Sequence, residues 1–254
     1  MKSVRRRKSR KSTILRRWKK FLDVASGEVI FLNHYSDIRR QFHLIAKQSS
    51  FAKKQNDFLD FAIKAFNHDM IFRICRIVEG QPKRNGVIVS HLEVFSLNAL
   101  LEEFLEHPEY LSREQYLGIS PVSHHEWLKK HPNPFSDSWN YDRLNSEFDD
   151  MAGKGAHHMS RNLIENDLKT LRKVTLRLKA FRDKKLAHIA VRKGRYRAPR
   201  IGEITRAILS IDRLMRKYFL LFTTSTNTLN FGRVDITGTF MQTWIQNSHD
   251  SKAN

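Results

Sequence analysis

From about residue 26 to 48, Ile30, Phe31, Tyr35, Ile38, Phe42 and Ile45 recur mostly at three- and four-residue steps. That spacing lines one face of an α-helix. A second stripe, Leu59, Ile63, Phe66, Met70, Ile74 and Ile77, predicts a helix over about 55–79, with polar residues opposite. It stops before GQPKRNG, where two glycines and a proline mark a loop. A third helix is expected from Ser90. SHLE places Glu93 three residues on, the pattern of a capping box, and Val94, Leu97, Leu101, Phe104 and Leu105 carry the stripe to about 106. Between 107 and 156 the period breaks. Pro108, Pro121, Pro132 and Pro134 fall here, and an irregular insertion with one or two short helices is expected, one of them near 141–149. It reads as a lid, a partner-binding arm or a variable loop. The strongest amphipathic pattern follows. Ile164, Leu168, Leu171, Val174, Leu178 and Phe181 predict a fourth helix from near Ser160 to about 186. After VRKGRYRAPR, a fifth is expected over roughly 203–222, with Ile204, Ile208, Ile211, Leu214 and Phe219 inside. Residues 227–254 show no clear period and fit a short hairpin or a loose tail.

These elements describe an all-α chain, an antiparallel bundle of four to five helices with an irregular insertion at 107–156. The expected division is a basic, disordered tail over 1–20, a helical domain over 21–226 and a C-terminal segment over 227–254. Scarce glycine (10) and proline (6) among 254 residues argue against a loop-rich β architecture. The single cysteine, Cys75, excludes an internal disulfide framework and lies in an apolar helical run, so it reads as a buried core thiol. No stretch reaches the roughly 18 apolar residues of a membrane helix, and the basic N-terminus lacks the apolar core of a secretory signal. A cytoplasmic protein without a membrane partner is the expectation.

Charge changes the picture. The net charge is +20, and it is concentrated. Residues 1–20 carry eleven Lys/Arg and no acid, and residues 169–200 carry thirteen against Asp183 alone. Such zones imply a polyanionic partner, nucleic acid above all. Ile14, Leu15 and Trp18 in the first zone make an anionic membrane surface a weaker option. A solubilising tail and a solvated helix face are the plain alternative.

Twelve histidines invite a search for metal ligands. In HHEWLKKH (124–131), His125 and His131 are six apart and point about 120° away from each other on a helix. His124 and His131 share a face but stand roughly two turns apart. A helix would splay the adjacent His157 and His158. No metal or cofactor is expected from these residues. MAGKGAHH lacks the strand and the Lys-Ser/Thr of a phosphate loop.

One string remains. LRLKAFRDKKLAH ends the fourth helical pattern inside the second basic zone. Arg182 and His188 would stand about 120° apart on a continuous helix, so they converge only if the helix ends or bends between them, or if a second subunit supplies the partner. With its arginine, a polar residue and a histidine after five intervening positions, the string resembles the motif of the HEPN superfamily, and within it the AbiU-type abortive-infection branch. FNHDMIFRICRIVEG (66–80) is similar to that branch's early helix, which ends in an arginine, an aliphatic residue and an acid. The resemblance covers roughly 26–222.

The resemblance implies a HEPN-like bundle and a metal-independent endoribonuclease acting as a toxin or abortive-infection effector. RNA carries its own nucleophile, the 2′-hydroxyl. His188 would act as general acid/base and Arg182 as the phosphate clamp. Asp183 would orient one of them. The products would be a 2′,3′-cyclic phosphate and a 5′-hydroxyl. A homodimer would double the histidine, and an antitoxin protein is an implied partner. One subgroup carries a tyrosine two residues after the histidine as a modification target; Ala190 stands there, so that regulation is not expected. RNA contacts are expected from Arg177, Lys184, Lys185, Arg192, Lys193, Arg195 and Arg197, with Tyr196 interleaved. A non-catalytic HEPN-like module binding RNA or a protein partner, and a basic DNA-binding helical protein, are the competing readings. Arg76 and Glu79, at i,i+3, read as a modest surface pair, with a role near the cleft as the alternative.

Overall fold

The computed structural model describes residues 2–48, 57–79, 96–118, 134–186 and 197–223. Among these the chain is all helical. Seven α-helices are present: α1 (Lys2–Gln48), α2 (Asp57–Glu79), α3 (Leu97–Glu106), α4 (Arg113–Leu117), α5 (Pro134–Ala152), α6 (Arg161–Phe181) and α7 (Ile201–Thr223). Side-chain pairings fix the directions. Trp18 meets Phe222 while Asn33 bonds to Asp212, so α1 and α7 are antiparallel. Glu28 pairs with Arg73 while Arg39 bonds to Asn67, and Arg177 pairs with Glu203 while Asp167 pairs with Lys217. The α1–α2 and α6–α7 pairs are therefore antiparallel too. α7 is the central rod: Ile204, Ala207, Ile208, Ile211, Leu214, Met215, Tyr218, Phe219 and Leu221 are all buried, and it packs on α1, α2, α4 and α6.

A bundle of four to five helices was expected, with one or two short helices in the 107–156 region; the two α-helices described in that region are α4 and α5, and α5 runs for 19 residues rather than as a short helix near 141–149. Nor is this region a loose appendage. Leu111, Tyr116, Phe148 and Met159 are buried in the common core. Arg113 staples it: its guanidinium donates to the carbonyls of Ala156 and Asn145, to Asn145 Oδ1 and to the Asp149 carboxylate. Backbone bonds from Arg113 N to His157 O (2.8 Å) and from Met159 N to Leu111 O (3.1 Å) close the two ends against each other. The bond from Arg113 and another from the Gly155 backbone hold the Asp149 carboxyl below the ordinary carboxylate range. Local period cannot reveal such a staple, because its partners are 32 to 43 residues apart.

The N-terminal division also changes. Residues 1–20 were expected as a disordered tail, yet α1 spans Lys2–Gln48 without interruption. Its buried positions include Trp18, Leu22, Ala25, Val29 and Leu32, a run of four- and three-residue steps, with Phe21 and Phe42 buried as well. The expected stripe was out of phase at its start: Phe31 is exposed, and the Arg73 guanidinium lies 4.0 Å over its ring. Trp18 is the anchor. It packs edge-on against Phe104, with ring centroids 4.7 Å apart, and its indole N–H donates to Glu103 Oε2 at 2.6 Å. Arg17 donates to the same oxygen. Burial of this face coexists with basic residues around it: Arg16, Lys19 and Lys20 are exposed.

α3 starts later than expected. Ser96, in an extended conformation, accepts a bond from Ala99 N and caps the helix. The capping box at Ser90, HHEWLKKH, VIV (87–89) and residues 227–254 lie outside the described residues. The two C-terminal helices match expectation closely. Ser160 caps α6 by accepting from Leu163 N, and α7 extends the expected 203–222 by two residues before and one after. No described helix is long and apolar enough to cross a membrane.

Truncating Trp18→Ala removes a fully buried ring and leaves Glu103 with one donor fewer. The loss is expected at about 3–5 kcal/mol of unfolding free energy, measured by urea denaturation. An unchanged midpoint would return residues 1–20 to the status of a tail.

Candidate functional site

α6 does not simply run out at the motif. After Phe181 the chain widens into a π-helical turn over Arg182–Leu186, a geometry that recurs at functional sites. The Arg182 backbone N–H is shared between the carbonyls of Leu178 and Lys179, which eases the helix out of its regular ladder. The regular α-helical ladder therefore ends at Phe181, at the start of the motif. His188 itself lies outside the described residues, as do Arg192, Lys193 and Arg195.

Arg182 is not a surface decoration. Its side chain is 19% exposed, and two carboxylates hold it. Nε and Nη2 donate to Asp183 Oδ1 at 2.8 and 2.5 Å. Nη2 also lies 2.5 Å from Glu79 Oε2. Burial alone would weaken the guanidinium's hold on its proton. The hydrogen bond to Asp183 and the nearby Glu79 carboxylate reverse that, and the pKa stands above the ordinary arginine value. The two bonds to Asp183 fix the plane of the Arg182 guanidinium.

Glu79 is the residue that the sequence reading misplaced. It was expected to pair with Arg76 on the surface of α2. Instead Arg76 reaches back to Glu28 on α1 at 2.5 Å, and Glu79, with a side chain only 14% exposed, faces α6. Lys179 Nζ approaches its other oxygen at 2.6 Å, an ion pair without hydrogen-bond alignment. The available signal was positional: Glu79 ends an amphipathic helix whose last apolar residues, Ile77 and Val78, are buried, so an acid beside them faces a neighbour and not open water. Cys75, one turn earlier, is buried beneath this cluster. Burial pushes its thiol from 9.0 to about 12, against the pull of the Arg182 guanidinium.

The remaining expected RNA contacts divide. Arg177 is paired with Glu203 at 2.6 Å. That carboxylate also accepts from the Arg200 backbone N–H at 2.6 Å, and the two bonds hold it below the ordinary range. Lys184 and Lys185 are exposed on the π turn. Arg197 is exposed in the segment that leads into α7. Phe181, next to Arg182, lies beside His68 of α2, ring centroids 5.9 Å apart. Among the described residues no group of three or more His, Cys, Asp or Glu side chains is arranged to hold a metal ion. Comparison with family models, with curated proteins and with solved structures finds no match for this chain.

The raised thiol gives a check on this geometry. At about pH 8 a thiol with its pKa near 12 carries roughly a thousandfold less thiolate than an unperturbed one. Cys75 should resist a thiol reagent in the folded protein and react promptly in denaturant. Because its folded pKa lies above its unfolded value, its contribution to stability is complete below pH 9 and drains away as pH rises from 9 to about 12. Fast native-state labelling at neutral pH would mean that the ground beneath Arg182 is open.

Proposed function

We propose that this chain is a metal-independent endoribonuclease of the HEPN type, a toxin or abortive-infection effector that acts through Arg182 and His188. The observation that carries the reading is the state of Arg182: a half-buried guanidinium, held by Asp183 and Glu79, at the widened turn that ends α6. A fixed guanidinium loses less freedom on meeting a phosphate and presents its donors in one plane. In the proposed reaction the 2′-hydroxyl attacks the adjacent phosphorus, and the bond to the 5′-oxygen of the next nucleotide breaks. An imidazole takes the proton from the nucleophile and one delivers a proton to the leaving group. Arg182 neutralises the charge that builds on the non-bridging oxygens. Two copies of His188, one from each protomer of a homodimer, supply the acid and the base. An antitoxin protein would restrain such an enzyme in the cytoplasm.

A second reading has its own support. With two carboxylates on one guanidinium, the clamp is already charge-compensated, as expected of a module that keeps the shape and binds RNA or a protein without cutting.

Cleavage of bulk RNA in EDTA separates the two. The enzyme reading expects 2′,3′-cyclic phosphate ends from the wild type, loss of cleavage in His188→Ala with RNA affinity within a few-fold, and loss of cleavage in Arg182→Ala. A purified dimer that binds RNA but never cuts it favours the module. Growth arrest that survives both substitutions would assign toxicity to charge alone.

A further inference from the structure

Away from Arg182, a groove of about 370 Å³ opens between the C-terminal half of α1 and the first turns of α7. That volume is within the range of small-ligand sites. Its α1 wall is cationic: Arg39, Arg40 and His43 line it. The acid on that wall, Asp37, is engaged by Arg40 at 2.5 Å and by Gln41 at 3.0 Å. Its α7 wall is apolar, with Ile201 39% and Leu209 58% exposed, and the hydroxyls of Ser36 and Thr205 lie between.

Arg39 makes this groove unusual. It is half-buried, and its Nε donates to the amide oxygen of Asn67 at 2.8 Å, a neutral partner. Other partly buried arginines of this chain, Arg73, Arg113, Arg182 and Arg216, each have a carboxylate at hand. No described carboxylate pairs with Arg39. Burial lowers its pKa, the sign of a charge that the surroundings do not compensate. A guanidinium in that state lacks an anion, and the groove in front of it has room for one. Arg197 and Arg200 stand exposed in the segment that enters the apolar wall at Ile201.

We propose that the groove between α1 and α7 binds a nucleotide, its phosphate on Arg39 and Arg40 and its base on the apolar surface of Ile201 and Leu209. The same chemistry is offered by a free mononucleotide and by one unit of an RNA strand. The site does not depend on the ribonuclease reading, since Arg182 and His188 are not part of it.

The test titrates the full chain with adenosine 5′-monophosphate and, separately, with a short fluorescein-labelled single-stranded RNA. Arg39→Gln is compared with Arg206→Gln, which removes an equal charge from an exposed position of α7 outside the groove. Arg39→Gln should weaken binding about tenfold, and Arg206→Gln should do far less. Loss in both titrations assigns a site open to free nucleotides; loss with the RNA alone assigns a subsite for one unit of the strand. Leu209→Glu places a repelling charge at an exposed position where folding is not at stake, and should weaken binding comparably. If Arg39→Gln and Leu209→Glu both behave as Arg206→Gln does in both titrations, the proposal is overturned.

Discussion

The Arg182 guanidinium is taken partly out of water, and negative charge answers it twice. Asp183 comes from its own turn and Glu79 from the end of α2. The first contact fixes the plane of the side chain. The second ties the C-terminal ends of two helices, so the chain leaves α6 in a direction that α2 helps to set. The turn is π-helical, a rare form. Tertiary charge pairing stands at this departure from the regular helix.

That arrangement bears on how a phosphate could reach the site. Removing a buried carboxylate's only partner is costly, because the charge is stranded. Glu79 does not face that cost, since Lys179 lies on its second oxygen. An incoming phosphate that takes Arg182 leaves Glu79 with a cation still in reach, and Asp183 is 44% exposed and open to water. Under the proposed reading, a clamp so built would be held when empty and would yield to a better bidentate anion. Cys75 below contributes no charge at neutral pH, so such an exchange would involve Arg182, Lys179 and the two carboxylates.

The sequence made α6 and α7 legible because their signals are local. Ser160 caps one, apolar residues at helical spacing line both, and the neighbouring turns contain the breaks. α1 was half legible. Eleven cations in twenty residues suggested a tail, and the buried series through Trp18 and Leu22 was overlooked, since composition averages over faces that a helix separates. The 107–156 region was least legible. Its prolines announced irregularity, while the Arg113 staple and the burial of Phe148 depend on partners far along the chain. The same holds at the site. Arg182 and Asp183 could be picked from one string, but Glu79 joins them from 103 positions away, an encounter that spacing does not encode.

The strongly basic zone also divides once its partners are known. Along α6, Lys169 pairs with Glu165, Arg172 with Glu102, Arg177 with Glu203 and Lys179 with Glu79. Arg172, Arg177 and Lys179 thus link α6 to α3, α7 and α2, while the Lys169–Glu165 pair lies within α6. From Lys184 onward the zone has no acid of its own up to Arg200. Under the proposed reading, the exposed Lys184, Lys185, Arg197 and Arg200 would add attraction for a polyanion to the guanidinium held at Arg182. Exposed ion pairs are worth about 0–1 kcal/mol each, so a polyphosphate could also recruit Arg172 or Arg177 at little cost to the fold.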